Sequence, residues 1–201
     1  MNRRIYLSAI FEINLIYKKH ILVEEVLNLI KNNCISYSIS NINIMDNWQY
    51  EKFFSYEKYP FNELDLLILE NKIISIEGIL DLVHRFGVNF YKINNEMYSI
   101  EFWISTKKLE KLDSNYINKD NINIYIEIIR IIIKILSRES LIVCMIGSEL
   151  LIKKMDSLKE ILLNSKNVSI YFLNSNINLK IKDYNKISLE GFNLYYLYKD
   201  N

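Results

Sequence analysis

Seven aromatic side chains fall within fourteen residues: Trp48, Tyr50, Phe53, Phe54, Tyr56, Tyr59 and Phe61. The chain-wide aromatic content is 13%, so this window is several-fold enriched. Asp46, Glu51, Glu57, Glu63 and Asp65 lie among them against Lys52 and Lys58, giving residues 46–65 a net charge of −3. Rings of this kind supply buried contact area at a protein interface, and a surrounding acidic field speeds encounter with a basic partner. The same residues also suit an aromatic hairpin or loop lying on a sheet with its acids in water, and the two readings are compatible. The predicted partner contacts are Asp46, Trp48, Tyr50, Glu51, Phe54, Tyr56, Glu57 and Tyr59. Glu101 and Trp103, side by side on the polar parity of another strand, join them, although a covering helix would account for Trp103 equally well.

Other chemistry is sparse. The chain has two histidines, His20 and His84. Glu77, Asp81 and His84 would share one face of a helix over 75–86 and could in principle ligate a metal. A solvated face with an Asp81–Arg85 pair at i,i+4 explains the same pattern. Cys34 and Cys144 sit in apolar runs as expected buried thiols without metal-ligand spacing, and Cys144 lacks the exposed, electropositive setting of a nucleophile. Gly78, Gly87, Gly147 and Gly191 are isolated, so no phosphate-binding loop is formed. Gly147-Ser148-Glu149 follows a buried run and is predicted to open a helix, a place where ligands bind, with Ser148 as an equally good N-cap. No catalytic, metal or cofactor site is expected.

The elements that must position these residues read as follows. Residues 3–14 place Ile5, Leu7, Ala9, Phe11 and Ile13 on one parity, as a strand does. A helix from about His20 to Lys31 and a strand from Ile35 to Ile44 follow, with a phase shift at Asn41 that a bulge would explain. Residues 64–69 fit strand or helix. The spacing of Ile76, Ile79, Leu80, Val83 and Phe86 predicts a helix over 75–86 capped by Gly87. Residues 88–93 and 97–105 flank Asn94-Asn95-Glu96 as a hairpin, and a short helix is expected over 107–112. The Ile-rich stretch 120–138 leaves only Glu127, Arg130, Lys134 and Arg138 as a polar stripe, so it reads as a helix buried on more than one side. It would lie on a central strand, 141–146, apolar throughout. A helix over 150–163 and strands over 168–173, 177–181 and 192–198 complete the chain. The expected architecture is a single α+β domain over 1–201, a mixed sheet packed with about four helices.

Composition bounds function. A net charge of +1 gives no reason to expect nucleic acid. Polar residues inside the Ile-rich stretch argue against a membrane span, and no signal-peptide pattern follows Arg3 and Arg4, so a cytoplasmic protein is expected. Abundant Ile, Asn, Lys and Tyr with one Pro and four Gly reflect AT-rich codons. Only local clustering therefore counts.

The strand Met97-Tyr98-Ser99-Ile100-Glu101-Phe102-Trp103-Ile104-Ser105, the long helix, and Ile146-Gly147-Ser148-Glu149-Leu150 resemble, in that order, the immunity proteins of bacterial polymorphic-toxin and contact-dependent inhibition systems. The resemblance covers about a quarter of the chain. It implies a non-enzymatic inhibitor that binds a cognate toxin domain, although the near-neutral charge departs from that of nuclease inhibitors. The competing expectation is a small enzyme or ligand-binding domain using the 147–149 turn and Glu101. A homo-oligomeric structural subunit is the third.

Overall fold

The computed structural model describes residues 10–33, 36–46, 50–54, 60–80, 84–105, 116–126, 140–151, 157–164, 166–177, 183–189 and 191–199. Among the described residues ten strands are formed: β1 (Ile10–Tyr17), β2 (Tyr37–Met45), β3 (Tyr50–Phe54), β4 (Ile73–Leu80), β5 (His84–Asn94), β6 (Met97–Ser105), β7 (Leu141–Leu151), β8 (Lys166–Asn174), β9 (Asn185–Leu189) and β10 (Phe192–Tyr196). They make one sheet in the order β3-β2-β4-β5-β6-β1-β7-β8-β10-β9, with every neighbouring pair antiparallel. The helices among the described residues are α1 (Val23–Asn33), α2 (Phe61–Leu69), a helical stretch at 122–126 termed α3, and α4 (Leu158–Asn164).

This overturns the expected α+β class with its mixed sheet. The protein is predominantly β, and its sheet is wholly antiparallel. The cause lies in the isoleucines: β-branched side chains are stiff at χ1 and pack well on a pleated surface. Residues 75–86 show the consequence. Among the described ones, 75–80 and 84–86, no helix forms; β4 and β5 do, with Ile74 and Ile76 buried on one face while Ser75 and Glu77 point to the other. Ile76, Ile79 and Leu80 satisfy a helical period too, but the alternation of Ser75 and Glu77 with Ile74 and Ile76 wins.

The sheet is also centred elsewhere than expected. β1 lies in its middle, between β6 and β7, so the first described strand pairs only with segments distant in sequence. β7 runs through Gly147-Ser148-Glu149 to Leu151 with register irregularities against β8. The expected helix N-terminus at 147–149 is therefore absent, and the next described helix, α4, starts at Leu158. A reciprocal capping box starts it: Ser157 Oγ accepts from Glu160 N at 3.2 Å while Glu160 Oε2 accepts from Ser157 N at 3.1 Å. The Ile-rich helix is seen at 122–126, opened by Asn118 Oδ1 accepting from Asp120 N and Asn121 N. Residues 127–138 lie outside the described residues, as do 107–112 and 178–182. The phase shift at Asn41 is present as an irregularity between Ile39 and Asn41, and the 94–96 turn joins β5 to β6.

Both faces of the sheet carry apolar clusters. Phe11, Leu15, Ile76, Val88 and Cys144 form one, covered by Val23 and Leu27 of α1, Leu64 and Ile68 of α2, and Tyr125 of α3. Ile16, Tyr91, Met145 and Tyr171 belong to the other, with Ile161 and Leu162 of α4. Burial of Cys144 pushes its thiol pKa well up, so it stays a thiol.

Candidate functional site

Five polar residues stand in one cross-strand row on the second face: Asn43 of β2, Ser75 of β4, Asn89 of β5, Glu101 of β6 and Asn14 of β1, each directly opposite the next. Asn43, Ser75 and Asn14 are buried. The row converges on the Glu101 carboxylate. Oε1 accepts from Tyr91 Oη at 2.5 Å and from Asn14 Nδ2 at 2.9 Å, and Oε2 accepts from Asn89 Nδ2 at 3.3 Å. Ser99 Oγ donates to Asn14 Oδ1 at 3.0 Å, fixing the amide so that its NH2 faces the acid. At the end of the row, Asn43 Oδ1 is buried with no hydrogen-bond partner among the described residues.

Burial raises the Glu101 pKa above the ordinary carboxyl range, and the three donors oppose that shift without cancelling it. Burial, followed by the neighbouring Glu101 charge, pushes Tyr91 well above the usual phenol value. The three donors are neutral. A carboxyl held this way ties β1, β5 and β6 together. The sequence signal for this cluster was Asn14, a lone amide inside an apolar strand.

Trp103 lies one step along the same face, opposite both Gly87 and Glu12. A Cβ on Gly87 would meet the Trp103 indole at 2.2 Å, so the ring lies flat on the glycine, an approach no other residue allows. Glu12 Oε2 accepts the Leu150 backbone N–H, joining β1 to the end of β7. Gly147 is closed in its own way, since a Cβ there would sit 2.1 Å from Asn167 O. The turn expected at 147–149 is instead continuous strand.

The described part of the acidic-aromatic stretch is divided between the end of the sheet and a helix. Tyr50, Glu51 and Phe54 lie in β3, the outermost strand, paired with β2 through a register irregularity between Ile44 and Met45. Asp46 closes β2 and forms an ion pair with Lys72. Phe61, Glu63 and Asp65 belong to α2. Trp48, Tyr56, Glu57 and Tyr59 lie outside the described residues. Four strand steps separate β3 from β6, about 19 Å at the usual spacing. Glu101 and Trp103 therefore share a sheet with the stretch but stand apart from it.

The expected grouping of Glu77, Asp81 and His84 on a helix does not exist. Glu77 is on β4, where it pairs with Arg85 of β5 at 3.6 Å; His84 opens β5, and Asp81 lies outside the described residues. His20 instead bonds Asp65 Oδ1 at 2.8 Å, and the same oxygen accepts Val23 N at 3.0 Å, so Asp65 of α2 caps α1. The adjoining cavity, touched by Tyr17, His20, Tyr91, Tyr98 and Ser99, is about 10 Å³, room for one water and no substrate. Among the described residues no group of three His, Cys, Asp or Glu side chains could hold a metal ion, and no helix is long and apolar enough to cross a membrane.

No family model matches the sequence, and neither curated proteins nor solved structures match the chain.

Proposed function

We propose that this protein is a non-enzymatic inhibitor of the immunity or antitoxin kind, acting in the cytoplasm by binding a cognate toxin domain through residues 46–65. One observation carries the reading: part of the acidic-aromatic stretch builds β3, the outermost strand at one end of the ten-stranded sheet. An outermost strand offers backbone donors and acceptors to an added chain, and the local excess of acids selects a basic one. Glu101, by contrast, spends its carboxylate on Asn14, Asn89 and Tyr91. Within this proposal the contact falls on Asp46, Trp48, Tyr50, Glu51, Phe54, Tyr56, Glu57 and Tyr59, with Trp103 further along the sheet.

The test is recovery of a stoichiometric protein partner from the source cell, followed by titration of that partner against Trp48→Ala/Tyr50→Ala/Glu51→Ala. Loss of at least about 2 kcal/mol of binding, roughly thirtyfold, is expected with an unchanged melting temperature. Equal binding by wild type and variant would remove the stretch from the interface. A metabolite or nucleotide that raises the melting temperature, with no protein retained, would favour a ligand-binding domain instead.

A further inference from the structure

The opposite end of the sheet is closed by β9, Asn185-Lys186-Ile187-Ser188-Leu189, all five residues of which are exposed. Among the described strands β9 pairs only with β10. Its register sets Ile187 opposite Leu194 and Leu189 opposite Phe192, so both continue the face of the helix-covered core to the rim. There they remain 45% and 39% exposed, an apolar strip that stops at an edge paired with no other described strand. The single charge of the strand gives little protection: Lys186 Nζ stands 5.6 Å from the Tyr195 ring centroid, on the other face.

We propose that β9 docks a second copy of this chain, the two β9 strands pairing antiparallel about Ile187. The strand complements itself in that register. Ile187 meets Ile187 across the two-fold axis, Lys186 faces Ser188, and Asn185 faces Leu189, so no like charges oppose one another. The diagonal neighbours on the apolar face are Ile187 and Leu189, within reach of each other at the spacing of antiparallel pairs. A two-fold contact needs such a self-matching patch. A basic or acidic partner has nothing to read on a strand with one charge held by its own tyrosine. β3, carrying Glu51 and Lys52 within the acidic stretch, is the end suited to a different protein. The dimer edge and the proposed toxin-binding edge lie at opposite ends of the sheet and can be tested separately.

The experiment uses the full chain, with mass measured by sedimentation from low micromolar to submillimolar concentration. Wild type is expected to pass from monomer to dimer over that range, consistent with a short strand-edge contact. Ile187→Lys sets two ammonium groups against each other and should leave only monomer. Ile187→Thr keeps a strand-forming residue, guards against a misfolded lysine variant, and should weaken dimerisation at least tenfold with an unchanged circular dichroism spectrum. Under mild oxidation Ile187→Cys should form an intermolecular disulfide, whereas wild type and Ser188→Cys should not. Wild type remaining monomeric throughout would overturn the proposal, as would a dimer unaffected by both substitutions at 187 or cross-linked at 188 in preference to 187.

Discussion

The middle of the sheet and its ends treat their polar groups in opposite ways. At the centre, Asn14, Asn89, Tyr91 and Ser99 turn inward and complete one another around Glu101. At the ends, β3 and β9 are outermost, with aromatics and acids in the first and exposed Ile187 and Leu189 in the second. The carboxylate in the middle thus serves the fold, and the proposed function gives the acids around β3 a different role, contact with a partner. Residue type does not separate these roles. Position across the ten strands does.

The largest expected effect comes from breaking the centre. Glu101→Ala strips Tyr91, Asn14 and Asn89 of their shared acceptor and should lower unfolding free energy by about 3 kcal/mol, read by urea denaturation. A loss below about 0.5 kcal/mol would mean the cluster does not hold the three strands together. Next, Asp65→Ala removes the acceptor for both His20 and Val23 N, at a cost of about 1.5 kcal/mol, comparable to losing an N-cap. Tyr125→Phe deletes the 3.1 Å hydrogen bond to the buried Ser169 hydroxyl and should cost about 1 kcal/mol.

The smallest effect concerns pH. Glu101 binds its proton more tightly in the folded state, so its contribution is complete below the unfolded carboxyl pKa and declines as pH rises through the raised folded value. Wild type should therefore lose stability relative to Glu101→Gln across that window, by no more than about 1.4 kcal/mol for each pH unit crossed. The opposite slope would show that the three donors outweigh burial.

Much of the strand pattern was legible in the sequence. The 94–96 hairpin, the phase shift at Asn41 and the apolar run from Leu141 each have a local signal, in turn residues, broken alternation or continuous hydrophobicity. The errors arose where isoleucine fits two periods at once. Residues 75–86 satisfy a helical stripe and a strand alternation, and pairing with β2 and β5 decides between them only in three dimensions. The helix expected over 150–163 was started too early: Leu150 and Leu151 are in β7, and the signal for the start of α4 was the capping-box spacing of Ser157 and Glu160. β9 was missed for a physical reason. Ile187 and Leu189 do share one parity against Lys186 and Ser188, but five exposed residues at a sheet end make too short an alternation to stand out in the sequence.

The candidate site divides along the same line. The composition of 46–65 marks it as unusual, but nothing local in Tyr50–Phe54 says that it ends a ten-stranded sheet. Glu101 and Trp103 were singled out for their polar parity, which the strand keeps. What parity omits is depth: Glu101 lies in the fifth strand from that end, surrounded by donors from the two strands beside it, β1 and β5.

The most direct test of centre against rim is one titration of the recovered partner against two variants, Glu101→Gln and Trp48→Ala/Tyr50→Ala/Glu51→Ala, each first shown to be folded. The account predicts that the triple variant loses at least thirtyfold in affinity, about 2 kcal/mol, while Glu101→Gln binds within about threefold of wild type. The reverse pattern, with affinity lost at Glu101 and kept by the triple variant, would contradict it.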